Sequence, residues 1–122
     1  MSERSKLINY KGKEILFFDY KDLAGEDYLK EIDNAKRITG ELISSGKTDI
    51  LIFIDAANSV HDTKIWKAML DNVEFSDKRI KGIAITGVEG IKRNLLHNTT
   101  NKLLNQSAFD SSKDAKDWLV SL

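Results

Sequence analysis

The sequence contains neither cysteine nor proline among its 122 residues. Without cysteine, disulfides, thiolate nucleophiles and metal sites built on thiolates are excluded. Without proline, no helix is kinked by a pyrrolidine ring. Basic and acidic residues number 19 each, so no net charge draws the chain towards nucleic acid. We therefore expect no nucleic-acid partner and no cysteine-based cofactor or metal.

Long apolar runs are also missing. A membrane-spanning helix needs roughly 20 apolar residues, and no segment approaches that length. The first residues lead into too few apolar positions for a signal-peptide core. We expect no transmembrane segment and a cytoplasmic location. A chain of 122 residues is typical of one domain, so residues 1–122 are predicted to form a single unit with one core.

One short apolar segment is the clearest feature that is present. Residues 50–54 are all apolar and stand between Asp49 and Asp55. A strand that is apolar at every position is buried on both faces, which is typical of a central strand in an α/β sheet with helices above and below. This segment predicts the fold class.

The other elements follow from hydrophobic periodicity. Residues 7–10 and 14–19 read as an antiparallel hairpin around a turn at 11–13, and residues 26–45 have helical spacing that ends at Gly46. The remaining predictions are a helix containing residues 65–73, a strand at 80–86, a helix over 91–104, a strand at 107–109, and a last helix capped by Ser111 or Ser112. The predicted order is β-β-α-β-α-β-α-β-α, a mixed sheet of about five strands with four helices.

Two segments follow predicted strands and are candidates for binding. Asp55 stands at the carboxyl end of a central strand, where open α/β sheets place ligand sites, or it accepts hydrogen bonds from its own turn. Gly87 and Gly90 open the next helix, with Lys92 and Arg93 one turn on. Backbone amides and two cations there are typical of an anion cradle, although a strand-to-helix turn needs glycine anyway.

The two histidines give no catalytic or metal motif. His61 and His97 lie in different segments, with no further ligand at zinc-like spacing. A catalytic dyad of either histidine with Ser59 or Ser107 is not supported, because neither serine lies in the glycine-flanked elbow motif of a hydrolase. We expect surface polar roles for both, no metal site, no cofactor and no enzyme activity.

Several segments together resemble a known family. Residues 8–15, 86–92, 109–110 and 115–119 are similar to the STAS-like proteins related to anti-sigma-factor antagonists, and within them to the bacterial SpoIIAA-like group, also described as STAS/SEC14-like. The resemblance extends over nearly the whole chain. It implies a STAS-like α/β sandwich, and most of the matching residues are structural.

The resemblance also implies a site. In that family a serine after the central strand, at the start of the second helix, is phosphorylated by a partner kinase and controls partner binding. Where the family pattern has Asp-Ser-Ser-Gly, residues 55–58 read Asp-Ala-Ala-Asn. Ser59 or Thr63 would then take the place of the missing serine, because a phosphate on either one near the helix N-terminus is stabilised by the helix dipole and the free backbone amides. Alternatively, Ser59 is an N-cap that forms a capping box with Asp62.

The function expected from the sequence is therefore a non-enzymatic, cytoplasmic regulatory or protein-interaction domain without the usual phosphorylatable serine. A carrier of a small apolar or anionic ligand is the alternative. A further alternative is an enzyme that uses the strand ends at Asp55 and Gly87. No oligomeric state is predicted.

Overall fold

The computed structural model describes residues 3–72, 77–88 and 106–122. Five strands form one sheet: β1 (Ser5–Tyr10), β2 (Lys13–Asp19), β3 (Ile50–Asp55), β4 (Ile80–Thr86) and β5 (Gln106–Phe109). The described residues contain three helices: α1 (Gly25–Ser44), α2 (Thr63–Leu70) and α3 (Ser112–Ser121). The helix predicted over residues 91–104 lies outside the described residues and stays a prediction.

The strands lie in the sheet in chain order, from β1 to β5. β1 and β2 are antiparallel, and each later strand is parallel to the strand before it. Lys11 and Gly12 connect β1 to β2 with φ angles of 51° and 82°. Two positive φ angles are typical of the type I′ turn, whose twist matches that of a hairpin. The predicted hairpin and mixed α/β sheet are both confirmed.

β3 is buried on both faces, as its apolar sequence predicts. Ile50, Ile52 and Ile54 belong to the core beneath α1 and α2, while Leu51 and Phe53 belong to a second core beneath α3. The alternation follows from the period of two in a strand. We call these the α1/α2 face and the α3 face of the sheet.

The last helix is docked through two fully buried residues, Ala115 and Leu119. Leu119 has no exposed surface, whereas Trp118 is half-buried and packs on Phe109 with ring centroids 5.3 Å apart. Ser111 is the N-cap, and its side chain accepts a hydrogen bond from the backbone N–H of Asp114. The predicted start of this helix is therefore confirmed.

Among the described residues, we find no helix whose length and apolar character would suit a bilayer span.

Candidate functional site

Three parallel strands end side by side. Asp19, Asp55 and Thr86 are the last residues of β2, β3 and β4, and the strand register places them next to one another. We call this end of the sheet the C-terminal rim. Open α/β sheets bind ligands and partners at such ends, so this rim is the first place to look for a site.

Asp55 is held by its own turn. Its Oδ1 accepts a hydrogen bond of 3.1 Å from the backbone N–H of Ala57, and the residue is half-buried. This is the local hydrogen bond that the sequence offered as the alternative to a ligand contact. It fixes the carboxylate in place and leaves Oδ2 free of that bond.

Gly87 is required by backbone packing. Its φ is 83°, and a Cβ built on it would lie 2.3 Å from the backbone N of Ala57. The backbone N–H of Ala56 donates to the carbonyl of Thr86 at 2.8 Å, so the turns after β3 and β4 are in direct contact. Gly87 therefore fits the turn interpretation given from sequence.

The other members of the predicted anion cradle, Gly90, Lys92 and Arg93, lie outside the described residues. That cradle stays a prediction.

The prediction that Ser59 caps the second helix is wrong. Asp62 is the N-cap, and its Oδ1 accepts a hydrogen bond of 2.9 Å from the backbone N–H of Ile65. Ser59 Oγ instead donates to the carbonyl of Ala56 at 2.6 Å. The helix starts later because Asp62 provides the cap, and His61, in the segment between Ser59 and Asp62, is buried. Thr63 is the first residue of α2 and is exposed.

The sequence analysis also missed a buried polar cluster. His61 was expected at the surface, but only 7% of it is exposed. Its Nε2 lies 2.9 Å from the hydroxyl of Tyr28 and 3.2 Å from Ser59 Oγ. The His61 ring also packs against Trp66, with centroids 5.2 Å apart. Burial raises the pKa of Tyr28 to about 12.

This geometry holds a loop in position. A neutral imidazole Nε2 either accepts or donates one hydrogen bond, and two hydroxyls share it here. Ser59 donates its hydroxyl proton to the carbonyl of Ala56, and its oxygen also lies within hydrogen-bond distance of His61. Tyr28 on α1 is thereby joined to the β3–α2 loop, residues 56–62.

The described residues contain no group of three or more histidine, aspartate or glutamate side chains that would hold a metal. His97 lies outside them.

The β3–α2 loop presents an apolar tip. Val60 is 55% exposed, yet its backbone N–H donates to the carbonyl of Leu23 at 2.9 Å. A second bond, 3.0 Å long, joins the N–H of Asp22 to the carbonyl of Ala57. The loop is therefore tied to the β2–α1 connection, and two exposed acidic residues lie beside the tip: Asp22, which is bonded to the loop, and Asp62, which ends it.

Comparison with solved structures identifies the fold. The crystal structure of an uncharacterized protein from the DUF3478 family of Shewanella loihica PV-4, described as having a SpoIIAA-like fold, is similar to this chain with a TM-score of 0.69. The likeness covers 94% of this chain and 91% of that chain at 19% sequence identity. No protein-family model and no curated protein matches the sequence. The SpoIIAA-like fold that the sequence resemblance implied is confirmed.

Proposed function

We propose that this chain is a cytoplasmic, non-enzymatic regulatory domain that binds a protein partner through the C-terminal rim. The observation that carries the proposal is the β3–α2 loop, which is held by hydrogen bonds and exposes Val60 at its tip. The SpoIIAA-like fold supports it, because the family resemblance places partner binding in the same loop.

The loop is ready to bind without rearranging. Val60 and Asp22 are fixed by backbone bonds to the neighbouring connection, and Ser59 is fixed to Ala56. A segment already held in one conformation loses little conformational entropy when a partner docks on it. An exposed valine alone is ordinary on a protein surface. It is the combination of an apolar tip with a rigid loop that favours recognition.

Charge around the tip indicates the kind of partner. Asp22 and Asp62 are both exposed, the first hydrogen-bonded to the loop and the second at its end. We propose a partner surface with an apolar socket and a basic rim. Such complementarity speeds association and selects the partner, and salt screens it over roughly 8–10 Å at physiological ionic strength.

Regulation differs from the phosphoswitch implied by the family resemblance. Ala56 is completely buried and Ala57 is half-buried, so neither position offers a hydroxyl. Ser59 Oγ is bound to the Ala56 carbonyl and lies beside His61. We propose that partner binding does not depend on phosphorylation at residues 55–58, and that Thr63 is the exposed hydroxyl left near the helix start.

The test compares two charge insertions at exposed apolar residues. Val60→Glu places a carboxylate at the tip, and Leu7→Glu places one on β1, where Leu7 is 38% exposed. Partners are captured by crosslinking, purified, and titrated by calorimetry against each variant. We expect Val60→Glu to weaken binding at least about tenfold, since it buries an unpaired charge. Leu7→Glu should bind like the unmodified protein.

Other results would reject the proposal. A partner that binds both variants equally well uses another surface. Turnover of a small molecule by the purified protein would favour an enzyme that uses Asp55 and Gly87. Stabilisation by a small molecule, with no protein partner, would favour the carrier alternative.

A further inference from the structure

A groove opens on the α3 face, on the side of the sheet nearest β1. α3 packs on β3, β4 and β5. Beside it lies a cleft of about 230 Å³. The strand register places Lys6, Phe17 and Phe53 in one row across β1, β2 and β3. These three residues line the cleft together with Ile8, Asp55, Ser112 and Lys116.

The floor of the groove is aromatic. Phe17 and Phe53 lie with ring centroids 5.2 Å apart and planes inclined by 30°. Phe53 is buried, while Phe17 is only half-buried and so exposes part of its ring. A third ring placed on this pair gains apolar contact and an offset or edge contact of the kind that aromatic side chains prefer.

Two lysines line the groove. Lys6 Nζ lies 5.8 Å from the ring centroid of Phe17 on the floor, whereas Lys116 Nζ lies 5.3 Å from that of Tyr10, which is not among the lining residues. Within the part of the chain that the structure describes, neither makes an ion pair, whereas Lys11 and Lys113 both pair with Asp117. The two ammonium groups are therefore available to an anion.

Asp55 marks the other end of the groove. It stands two residues beyond Phe53 on β3, about 6–7 Å along the strand by ordinary strand geometry. Its Oδ1 already accepts a hydrogen bond from Ala57. A carboxylate ligand would be repelled at this end and attracted towards Lys6 and Lys116, so the groove has a direction.

We propose that this groove binds a small aromatic carboxylate, with its ring on Phe17 and Phe53 and its carboxylate between Lys6 and Lys116. The volume suits about one ring and a short acidic arm, since pockets for drug-sized molecules start at roughly 300 Å³. Charge-assisted hydrogen bonds to the two lysines supply selectivity for the acid. This proposal does not rest on partner binding at the β3–α2 loop, although Asp55, which lines the groove, accepts a hydrogen bond from Ala57 of that loop.

The experiment is an NMR titration of the ¹⁵N-labelled chain with three probes of one shape class: phenylacetate, phenylacetamide and benzylamine. Phenylacetate should shift the amides of Lys6, Phe17 and Phe53 at millimolar concentration. The neutral amide should bind about tenfold more weakly, as expected when charge-assisted bonds are lost. Benzylamine should bind most weakly of the three probes, because its ammonium group is repelled by Lys6 and Lys116.

Two lysine variants on the same helix sharpen the test. Lys116→Gln should weaken phenylacetate binding about tenfold, because it removes one of the two cations. Lys113→Gln is the matched control, since its ammonium group pairs with Asp117 and does not line the groove. It should leave the affinity unchanged.

The proposal is overturned if phenylacetate and phenylacetamide bind equally well, because the lysines then contribute nothing. It is also overturned if both lysine variants weaken binding to the same extent, or if no shift occurs in the row of Lys6, Phe17 and Phe53. Shifts confined to the larger cleft at the opposite end of the sheet, lined by Lys47, would assign the ligand to a different site.

Discussion

The two faces of the sheet use the same kinds of polar bond in different surroundings. On the α1/α2 face, the hydroxyl of Tyr28 meets His61 Nε2 at 2.9 Å inside the core. On the α3 face, Asp117 accepts hydrogen bonds of 2.6 Å from the Tyr10 hydroxyl and 2.9 Å from Lys11 Nζ. The Tyr28–His61 bond is buried away from water, whereas the bonds to Asp117 lie near the solvent.

This difference decides how much each bond contributes to stability. A buried group that loses its partner cannot turn to water, and it is left unsatisfied at a cost of about 1–3 kcal/mol. A surface group that loses its partner is solvated again, and exposed ion pairs contribute only about 0–1 kcal/mol. Changes on the α1/α2 face should therefore lower the free energy of unfolding more than matched changes on the α3 face.

The largest effect is expected at the contact between the turns after β3 and β4. Gly87→Ala should lower the free energy of unfolding by about 2–5 kcal/mol. Part of this cost arises because alanine is strained at the positive φ angle of this position. The rest arises because its Cβ would overlap the backbone of Ala56 and Ala57. Every atom within 2.7 Å of the new Cβ belongs to backbone, so no side chain can rotate away. Urea denaturation provides the measurement.

Gly46 provides the matched control. Its φ is 92°, and a Cβ there would meet nothing within 4 Å. Gly46→Ala should cost only the left-handed penalty of about 1–2 kcal/mol. Equal losses at Gly46 and Gly87 would mean that the close approach of the two turns is not what requires glycine.

The middle effect tests the comparison directly with one chemical change on each face. Tyr28→Phe should cost about 1–2 kcal/mol, because it removes a buried hydroxyl from His61. Tyr10→Phe should lower the free energy of unfolding less than Tyr28→Phe does. Asp117 still accepts hydrogen bonds from Lys11 and Lys113 in this variant, and water can replace the lost hydroxyl. A larger loss at Tyr10 than at Tyr28 would reverse our interpretation of the two faces.

The pH dependence of Tyr28 gives a second measurement. Its pKa is raised to about 12 by burial, against an ordinary value near 10. The folded state therefore holds this proton more tightly than the unfolded state, so stability falls as pH rises from about 10 towards 12. Tyr20 contributes in the same direction, since burial raises its pKa well above the ordinary value. Tyr28→Phe should make the alkaline loss smaller without abolishing it.

The sequence predicts much of this fold because the informative patterns are local. The apolar run before Asp55 identifies the central strand, and a two-residue turn at Lys11 and Gly12 sets the hairpin register, which places Lys6 opposite Phe17. Neither pattern defines the register between two strands that are joined through a helix. That Phe53 joins the same row depends on how β3 aligns with β2, and those strands are separated by the whole of α1.

The candidate site was harder to predict for the same reason. Ser59 and Asp62 fit a capping box by spacing, but in the structure Asp62 itself caps the helix, which begins at Thr63, and His61 before it is buried. A histidine near a helix start is polar by composition, so its burial beneath Tyr28 depends on the distant α1. One signal was present in the sequence: Tyr28 lies on the apolar stripe of that helix and needs a polar partner when buried.

The smallest effect is expected at Asp117. Hydrogen bonds from Lys113, Tyr10 and Lys11 hold the pKa of this carboxyl well below its ordinary range. Because the folded pKa is lower than the unfolded one, the carboxylate stabilises the fold above about pH 4, and this contribution is lost as pH falls. Asp117→Asn should lower the melting temperature slightly at neutral pH, and the difference from the unmodified protein should shrink in acid.

High salt separates this surface contribution from a buried one. Exposed charges are screened over about 3 Å at 1 M ionic strength, so the effect of Asp117→Asn should nearly vanish there, whereas the effect of Tyr28→Phe should persist. Glu41→Gln, at an exposed pair with Arg37 on α1, is the matched control and should follow the same salt dependence. If the Asp117 effect survives at high salt while the Glu41 effect does not, the bonds around Asp117 are shielded from water. The surface around Asp117 on the α3 face would then be less accessible to water than its half-buried side chain indicates.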